Sequence, residues 1–289
     1  MLLARLGFLA PLVLLALPGS AIAEAPRYLA LGDSLAEGIQ THPDGHHFRT
    51  DQGYADFVWR SVSRRYPDLR LVKLGRGGAT AADMLHDRGR RGVTQIDQAV
   101  QQIRAHRVVL VTIDIGAWEI ERCLSGARWP SSCMSPAFAG VRREVPAIVG
   151  RLRDADGGGR LAIVGVDYYN FFLARWRLGS RARTIADRSV AVEHRINRVL
   201  TAAYRRVGVP VADVEGAFDS LQMRRLVHRR RWGRVPLAVA RVCDWTFACA
   251  VRGDDHANSR GYRVMGRATL RALARFEPLV VDPTTGGVG

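Results

Sequence analysis

Lysine is almost absent from this sequence of 289 residues: Lys73 stands alone among 43 basic residues, and all the others are arginine. The 27 acidic residues leave a formal net charge of +16, which would suit an anionic partner. Ala, Gly and Val are abundant together with arginine, however, and this bias is typical of a GC-rich genome. Because no recognised nucleic-acid-binding motif is present either, we expect no nucleic-acid partner.

Apolar runs long enough to span a bilayer are also lacking. Residues 1–23 contain a single charge, Arg5, then a short apolar core, and end in Ala21-Ile22-Ala23, the small-x-small pattern of a signal-peptidase site. The pattern predicts a signal peptide cleaved after Ala23 and a secreted, extracellular chain of residues 24–289 without stable membrane insertion. The alternative is that the segment is retained as an N-terminal anchor.

Cysteine is scarce, and its four residues form two close pairs in the sequence, Cys123 with Cys133 and Cys243 with Cys249. An even number, short spacing and an exported chain favour two disulfides closing short loops over metal ligation. Free thiols and the crossed pairing are the alternatives.

Three of the eight histidines, His42, His46 and His47, lie in one polar loop that could bind a metal. No Cys or Asp spacing nearby completes a site. We therefore expect this loop to be solvated, and we expect neither a metal nor an organic cofactor.

The remaining chain alternates apolar runs with segments of helical periodicity. Strands are predicted at 27–31, 69–74, 107–115, 160–166 and 209–214. Helices are predicted at 53–66, 80–85, 94–105, 137–153, 183–207 and 259–275. The alternation implies an α/β fold, a doubly wound five-stranded parallel sheet in a three-layer α/β/α sandwich. A flavodoxin-like strand order 2-1-3-4-5 would place the switch point between the first and third strands.

Residues 24–278 are predicted to form one domain, without internal repeats, and 279–289 a disordered tail. Two excursions interrupt the alternation, an irregular one at 121–136 and an arginine-rich one at 221–250, each holding one cysteine pair. The arginine-rich excursion could bind an anionic surface, or it could be a solvated or disordered loop. We expect a monomer.

Candidate catalytic residues follow the first strand and precede the last helix. Gly32-Asp33-Ser34 ends the first strand, at the sheet edge where open α/β folds bind ligands, although such residues also form ordinary turns. His256 precedes the last helix, beside Asp254 and Asp255. A serine, a histidine and an acid at one sheet edge predict a nucleophile with its base, and the glycine-rich segment 75–78 would add backbone N–H groups.

These segments resemble the blocks of the GDSL, or SGNH, hydrolase family over nearly the whole mature chain. Gly32-Asp33-Ser34-Leu35 resembles the first block, Gly75-Arg76-Gly77-Gly78-Ala79-Thr80 the second, and His256 with Gly261-Tyr262-Arg263-Val264-Met265 the last. The resemblance implies the flavodoxin-like SGNH hydrolase fold, with Ser34 as nucleophile and His256 as general base. It also implies an oxyanion hole that contains the backbone N–H groups of Ser34 and Gly78.

The third block departs from the family pattern. Members have Gly-x-Asn-Asp, whereas this chain has Gly116-Ala117-Trp118-Glu119. The family's Asn amide donates to the oxyanion, and Trp118, whose indole N–H is a donor on a bulkier ring, takes that position. Losing one such donor costs about 10²–10³ in turnover. The chain is therefore expected to be a slow enzyme, to use another donor, or to be a catalytically weakened binding protein.

The acid is the second departure. The family usually has Asp three residues before the His, where this chain has Gly253. We predict that Asp254 orients His256 and that the adjacent Asp255 points elsewhere. A backbone carbonyl is the alternative partner of His256.

The resemblance implies a secreted serine esterase or lipase that hydrolyses small-molecule or lipid carboxylic esters through an acyl-enzyme. A carbohydrate O-deacetylase or an acyltransferase with the same serine is the alternative. The aromatic segment 168–172, with Trp118 and Trp176, could line an acyl pocket, although aromatic residues at this spacing more often belong to the core.

Overall fold

The computed structural model describes residues 24–89, 92–125, 128–158, 161–251 and 254–276. The predicted signal peptide, the predicted tail at 279–289 and Gly253 lie outside the described residues, so these expectations stay predictions.

The strands in the described residues are β1 (Arg27–Gly32), β2 (Ile39–Thr41), β3 (His47–Arg49), β4 (Arg70–Lys73), β5 (Val108–Asp114), β6 (Ala162–Val166), β7 (Val211–Ala212), β8 (Leu226–Arg229) and β9 (Gly233–Pro236). The α-helices are α1 (Ser34–Glu37), α2 (Tyr54–Val62), α3 (Ala81–His86), α4 (Gln95–Ala105), α5 (Trp118–Glu121), α6 (Ser131–Asp156), α7 (Ser180–Arg206), α8 (Val214–Ala217), α9 (Leu237–Trp245) and α10 (Ser259–Leu273). Short 3-10 helices cover Phe171–Arg177 and Ala274–Phe276.

The main sheet has five parallel strands in the order β4-β1-β5-β6-β7. This confirms the predicted order 2-1-3-4-5 and places the switch point between β1 and β5. Almost every residue of β1, β5 and β6 is buried, as expected for parallel strands covered on both faces. At a switch point of this kind, the loops that follow the two strands generally leave in opposite directions and open a crevice at the carboxyl edge of the sheet.

Helices cover the sheet on both sides. The helix α10 packs against α2, and the helices α4, α6 and α7 pack against one another in that order. Two small hairpins, β2–β3 and β8–β9, lie outside the main sheet. In the described part of the chain, no helix combines the length and apolarity that crossing a membrane requires.

The structure corrects two predicted boundaries. The helix α6 begins at Ser131, so it takes up part of the excursion expected to be irregular up to 136. A proline usually limits a helix, but Pro136 lies near the start of α6, where its missing N–H removes only one hydrogen bond. The fifth strand of the sheet is reduced to Val211–Ala212 because Asp213 caps the short helix α8.

The arginine-rich excursion is ordered over its described residues and forms the hairpin β8–β9 and the helix α9. Both cysteine pairs form disulfides as the local spacing predicts, Cys123 with Cys133 and Cys243 with Cys249. The first joins the segment after α5 to the first turn of α6, and the second joins α9 to the segment that follows it.

Candidate active site

The turn that holds Ser34 is fixed by its backbone. Gly32 has φ +142°, and a Cβ at this position would lie 1.9 Å from Asp114 Oδ1, so only glycine fits. The Gly32 N–H donates to Gln95 Oε1 over 2.7 Å, and Gln95 Nε2 donates to the Gly32 carbonyl over 2.9 Å. Asp33 then caps α1, and Ser34 is the first residue of that helix.

The glycine-rich loop after β4 packs against this turn. A Cβ at Gly75 would lie 2.7 Å from the carbonyl oxygen of Asp33, so the two loops can meet only through glycine. The Gly77 N–H donates to the buried Glu37 Oε2 over 2.9 Å, and this contact holds the loop against α1. Gly78 has φ +69°, a left-handed conformation that suits glycine.

Two backbone donors at this junction are unused. No hydrogen bond within the described residues involves the N–H of Ser34 or the N–H of Gly78. Both residues line the same cavity. Two N–H groups that share one cavity and have no acceptor in the described part of the chain are candidates for an oxyanion hole.

Trp118 lies where the family has its Asn, at the start of α5. Its indole Nε1 is 3.6 Å from the position that a Cβ on Gly78 would occupy, so the indole N–H lies at the Gly78 corner of the cavity. Glu119 Oε1 accepts the Ala81 N–H over 2.7 Å and so joins the third block to the second. Burial raises the pKa of Glu119 to about 7.

His256 is buried, with 5 % of its surface exposed, and lines the same cavity as Ser34. Its backbone N–H donates to Asp254 Oδ1 over 2.8 Å, and its Nδ1 lies 3.5 Å from Asp254 Oδ2. Among the described residues no hydrogen bond joins Ser34 to His256, and such bonds are often long in unliganded enzymes.

Asp255 does not point away from His256, contrary to expectation. Its Oδ1 lies 3.3 Å from His256 Nδ1, slightly closer than Asp254 Oδ2. Asp254 accepts the His256 N–H in a tight turn, and Asp255 is the residue between them. This turn places the Asp255 side chain next to the imidazole. Two carboxylates therefore face the same ring nitrogen, although only Asp254 meets hydrogen-bond geometry.

Asp254 is held by the distant hairpin β2–β3. Thr41 Oγ1 donates to Asp254 Oδ2 over 2.6 Å, and His47 Nε2 lies 3.1 Å from the same oxygen. His42 and His46 are exposed as predicted for a solvated loop, but His47 is not simply solvated because it contacts Asp254, the candidate acid. From the sequence, only the polar character of this hairpin was predictable.

Opposing effects set the protonation of the candidate base. Burial lowers the pKa of His256, but the hydrogen bond with Asp254 and the charges of Asp255 and Asp254 outweigh it, so the pKa is raised. For Asp254, burial raises the pKa, but hydrogen bonds from His256 and Thr41 outweigh it and lower the pKa. Asp254 is therefore ionised at neutral pH and stabilises the imidazolium.

Asp33, beside the candidate nucleophile, is also perturbed. Burial raises its pKa to about 6, even though its carboxylate accepts hydrogen bonds from the Leu35 N–H and from the Tyr168 hydroxyl. Asp33 thus caps the helix that follows the turn. Tyr168, 135 residues away in the sequence, holds the Asp33 side chain in place through its hydroxyl.

The cavity has a volume of about 480 Å³. Its walls include Trp118, Tyr168, Tyr169 and Phe171. The other aromatic residues of the predicted pocket lie elsewhere: Phe172 packs against Trp129, and the Trp176 ring lies under the Arg183 guanidinium.

Glu121 is a cavity residue that the sequence did not single out. It lines the cavity together with Trp118, and among the described residues its side chain makes no hydrogen bond. Burial and the nearby charges of Glu193 and Asp255 raise its pKa well above the ordinary range. Glu121 is therefore an unpaired polar group that faces the space where a substrate would bind.

The loop that carries His256 is supported by a neighbouring segment. The Phe247 N–H donates to the His256 carbonyl over 2.9 Å, and the Asn258 N–H donates to the Trp245 carbonyl over 3.0 Å. The Cys243–Cys249 disulfide closes the segment that provides both contacts. A Cβ at Gly261 would lie 2.1 Å from the Trp245 oxygen, so α10 can begin this close only with glycine there.

The exposed arginines of the second excursion do not line the cavity. Arg229 pairs with Asp244 at 2.8 Å and holds the hairpin β8–β9 on α9. Exposed arginines of this excursion are Arg224, Arg225, Arg230, Arg231 and Arg234. An anionic partner for this surface stays a prediction.

Three solved structures are similar in fold over most of this chain. An extracellular lipase from Streptomyces rimosus is 19% identical with a TM-score of 0.52, and the alignment covers 86% of this chain and 100% of the lipase. An α/β-hydrolase enzyme from the metagenome of Lake Arreo is 17% identical with a TM-score of 0.52, over 88% and 97% of the two chains. A catalytic mutant of an acetylxylan esterase from Geobacillus stearothermophilus is 16% identical with a TM-score of 0.50, over 87% and 95%.

A search of curated proteins finds no match. The sequence does match a protein family over residues 30–264, most of the chain, and that range contains Ser34, Gly78, Trp118 and His256. The chain therefore belongs to the GDSL-like lipase/acylhydrolase family and is a hydrolase that acts on ester bonds.

Proposed function

We propose that the protein is a secreted serine esterase that hydrolyses carboxylic esters through an acyl-enzyme on Ser34. One observation carries the proposal: Ser34 and His256 line one cavity together with the unused backbone donors of Ser34 and Gly78. Nucleophile, base and oxyanion donors are the three parts that acyl transfer requires.

In the first step, His256 Nε2 takes the proton of Ser34 Oγ as this oxygen attacks the ester carbonyl carbon. The backbone N–H groups of Ser34 and Gly78 bind the oxyanion that forms. When the tetrahedral intermediate collapses, the C–O bond to the alcohol breaks, and His256 gives the proton to the leaving oxygen. Water, activated by His256, then attacks the acyl-enzyme, and Ser34 and the free acid are regenerated.

Asp254 keeps the imidazole in the tautomer that this mechanism needs. Its Oδ2 accepts the Nδ1 proton, so the lone pair of Nε2 faces the serine, and its charge stabilises the imidazolium. Its low pKa supports this role. Asp255 adds charge on the same side of the ring and is the second candidate for the acid.

Trp118 is proposed as the third oxyanion donor. The location of its Nε1 beside Gly78 supports this role, because an indole N–H there can reach an oxygen that the Gly78 N–H also binds.

A fluorophosphonate probe and short nitrophenyl esters test the esterase proposal. We expect the probe to label Ser34 in the folded mature protein, and we expect Ser34→Ala to lose both labelling and hydrolysis. Equal hydrolysis by Ser34→Ala would refute the proposed nucleophile. Absence of labelling on folded wild-type protein would favour a catalytically silent binding protein.

Glu121 favours a second candidate, a carbohydrate O-deacetylase or acyltransferase that uses the same serine. An unpaired carboxyl group beside Trp118 and Phe171 suits the hydroxyls and apolar faces of a sugar better than an alkyl chain. Initial rates on acetylated xylan and on long-chain lipid esters separate the candidates. If Glu121→Gln and wild type both prefer the lipid ester, the carbohydrate reading is wrong.

Secretion is part of the proposal. The predicted signal peptide and the two disulfides support it, because disulfides persist in oxidising compartments. N-terminal sequencing of protein from the culture medium tests it, and we expect the chain to begin at Glu24.

A further inference from the structure

Two histidines that line the candidate cavity meet one aspartate at its wall. His47 Nε2 lies 3.1 Å from Asp254 Oδ2, and His256 Nδ1 lies 3.5 Å from the same oxygen. The three ligand atoms lie within 4.8 Å of one another, and the two imidazole rings meet edge to face with centroids 4.6 Å apart. Nitrogen and oxygen ligands of this kind are those that zinc binds.

The distances suit a small divalent cation. Zinc binds imidazole nitrogen and carboxylate oxygen at about 2.0–2.2 Å, so tetrahedral ligand atoms are about 3.2–3.6 Å apart. The two contacts of Asp254 Oδ2, at 3.1 Å and 3.5 Å, are close to this range. The side chain of His47 is 52% exposed, so it can rotate toward the ion, and solvent can reach a fourth coordination position.

The carboxylate is already oriented as a ligand. Thr41 Oγ1 donates to Asp254 Oδ2 over 2.6 Å, and the His256 backbone N–H donates to Oδ1 over 2.8 Å. Hydrogen bonds of this type orient metal ligands and raise metal affinity. Asp255 Oδ1, 3.3 Å from His256 Nδ1, adds negative charge that favours a cation.

We propose that His47 Nε2, Asp254 Oδ2 and His256 Nδ1 form a binding site for Zn²⁺ or a similar divalent transition-metal ion, and that the bound ion reversibly inhibits the enzyme. A metal on Nδ1 leaves the neutral imidazole with its proton on Nε2. That nitrogen then has no lone pair to accept the Ser34 proton. Asp254 is also turned to the metal and no longer orients the base.

The inhibitory part of this proposal rests on the proposed esterase function, whereas the binding part does not. Binding is therefore measured separately from activity. Calorimetric titration with Zn²⁺ and the visible absorption spectrum with Co²⁺ both report ligation in Ser34→Ala as well as in wild type, because Ser34 is not a ligand.

His47→Gln is the informative variant, and His42→Gln is its matched control. His42 is on the same hairpin but pairs with Asp44 and lies outside the cluster. We expect wild type, Ser34→Ala and His42→Gln to bind one Zn²⁺ with similar affinity, and His47→Gln to bind at least about tenfold more weakly. Circular dichroism confirms that each variant is folded.

Inhibition is then compared with binding. Each variant's esterase rate is divided by its own rate without metal. The Zn²⁺ concentration that halves the wild-type rate should match the calorimetric dissociation constant. EDTA should reverse the inhibition. His47→Gln should need at least about tenfold more Zn²⁺. Equal binding by wild type and His47→Gln, or no binding by wild type, would overturn the site. His47-dependent binding by a protein without esterase activity would support the site and contradict the proposed function.

Discussion

Thr41 and Asp254 are hydrogen-bonded, although 213 positions separate them: the threonine hydroxyl donates to Oδ2 of the aspartate over 2.6 Å. The bond joins the hairpin β2–β3 to the acid behind the candidate base. A hydrogen bond to a charged group contributes about 1.5–3 kcal/mol. The hairpin therefore has a direct energetic link to the candidate acid.

Replacing Thr41 with valine tests this link. Thr41→Val keeps the shape of the side chain but removes the donor, so Asp254 should hold His256 less firmly and kcat/KM should fall on the order of tenfold. Thr41→Ser keeps the hydroxyl and is the control. Steady-state kinetics on a nitrophenyl ester measure the effect, and equal losses in both variants would point to packing instead of hydrogen bonding.

The pH dependence of kcat/KM tests the assignment of the acid. Burial alone would lower the pKa of His256, but Asp254 and Asp255 outweigh it and hold the pKa above 6.5. Since the base works only when neutral, wild-type activity should fall as the pH drops through this raised pKa. In Asp254→Asn the imidazolium loses its main stabilisation, so the inflection should move to lower pH while the maximal rate falls by about 10²–10⁴.

Asp255→Asn is the matched comparison. It should move the inflection in the same direction, because its charge also raises the pKa of His256, but it should cost much less rate. The reverse ranking of the two maximal rates would make Asp255 the orienting acid.

Two variants of Trp118 distinguish the role of its indole N–H as a donor from the role of its ring as a cavity wall. Trp118→Phe keeps an aromatic wall but removes the donor beside Gly78, so kcat should fall by about 10² with little change in KM. Trp118→Asn supplies a side-chain amide instead and should retain more activity than Trp118→Phe. An unchanged kcat in Trp118→Phe would show that the N–H groups of Ser34 and Gly78 suffice.

Gln95 is predicted to stabilise the nucleophile turn. Its side chain satisfies both the N–H and the carbonyl of the buried Gly32. Gln95→Ala leaves the buried Gly32 N–H unpaired, at a cost of about 1–3 kcal/mol in the free energy of unfolding, whereas the Gly32 carbonyl keeps its hydrogen bond from the Arg76 N–H. Urea denaturation measures the loss of stability. Gln101 is exposed on the same helix, so Gln101→Ala is the control. Equal stability of the two variants would show that Gln95 does not hold the turn.

Much of the fold was predictable because it depends on local patterns. Apolar runs and helical periodicity predicted the sheet strands, the flavodoxin-like fold supplied their order, and the resemblance of short blocks to a known family predicted Ser34, Gly78 and His256. Boundaries were less accurate where one local signal opposed another, as at Pro136 inside α6.

The sequence by itself determined the candidate nucleophile, the candidate base and the glycines, because their chemistry and backbone conformations are read from neighbouring residues. Only the tertiary structure decided which groups hold them: Gln95 at Gly32, Tyr168 at Asp33, and Thr41 and His47 at Asp254. It also decided that Glu121 faces the cavity. The physical reason is that a hydrogen bond requires a separation of about 3 Å, and for residues far apart in the chain only the packing of the whole sheet and its helices sets that separation.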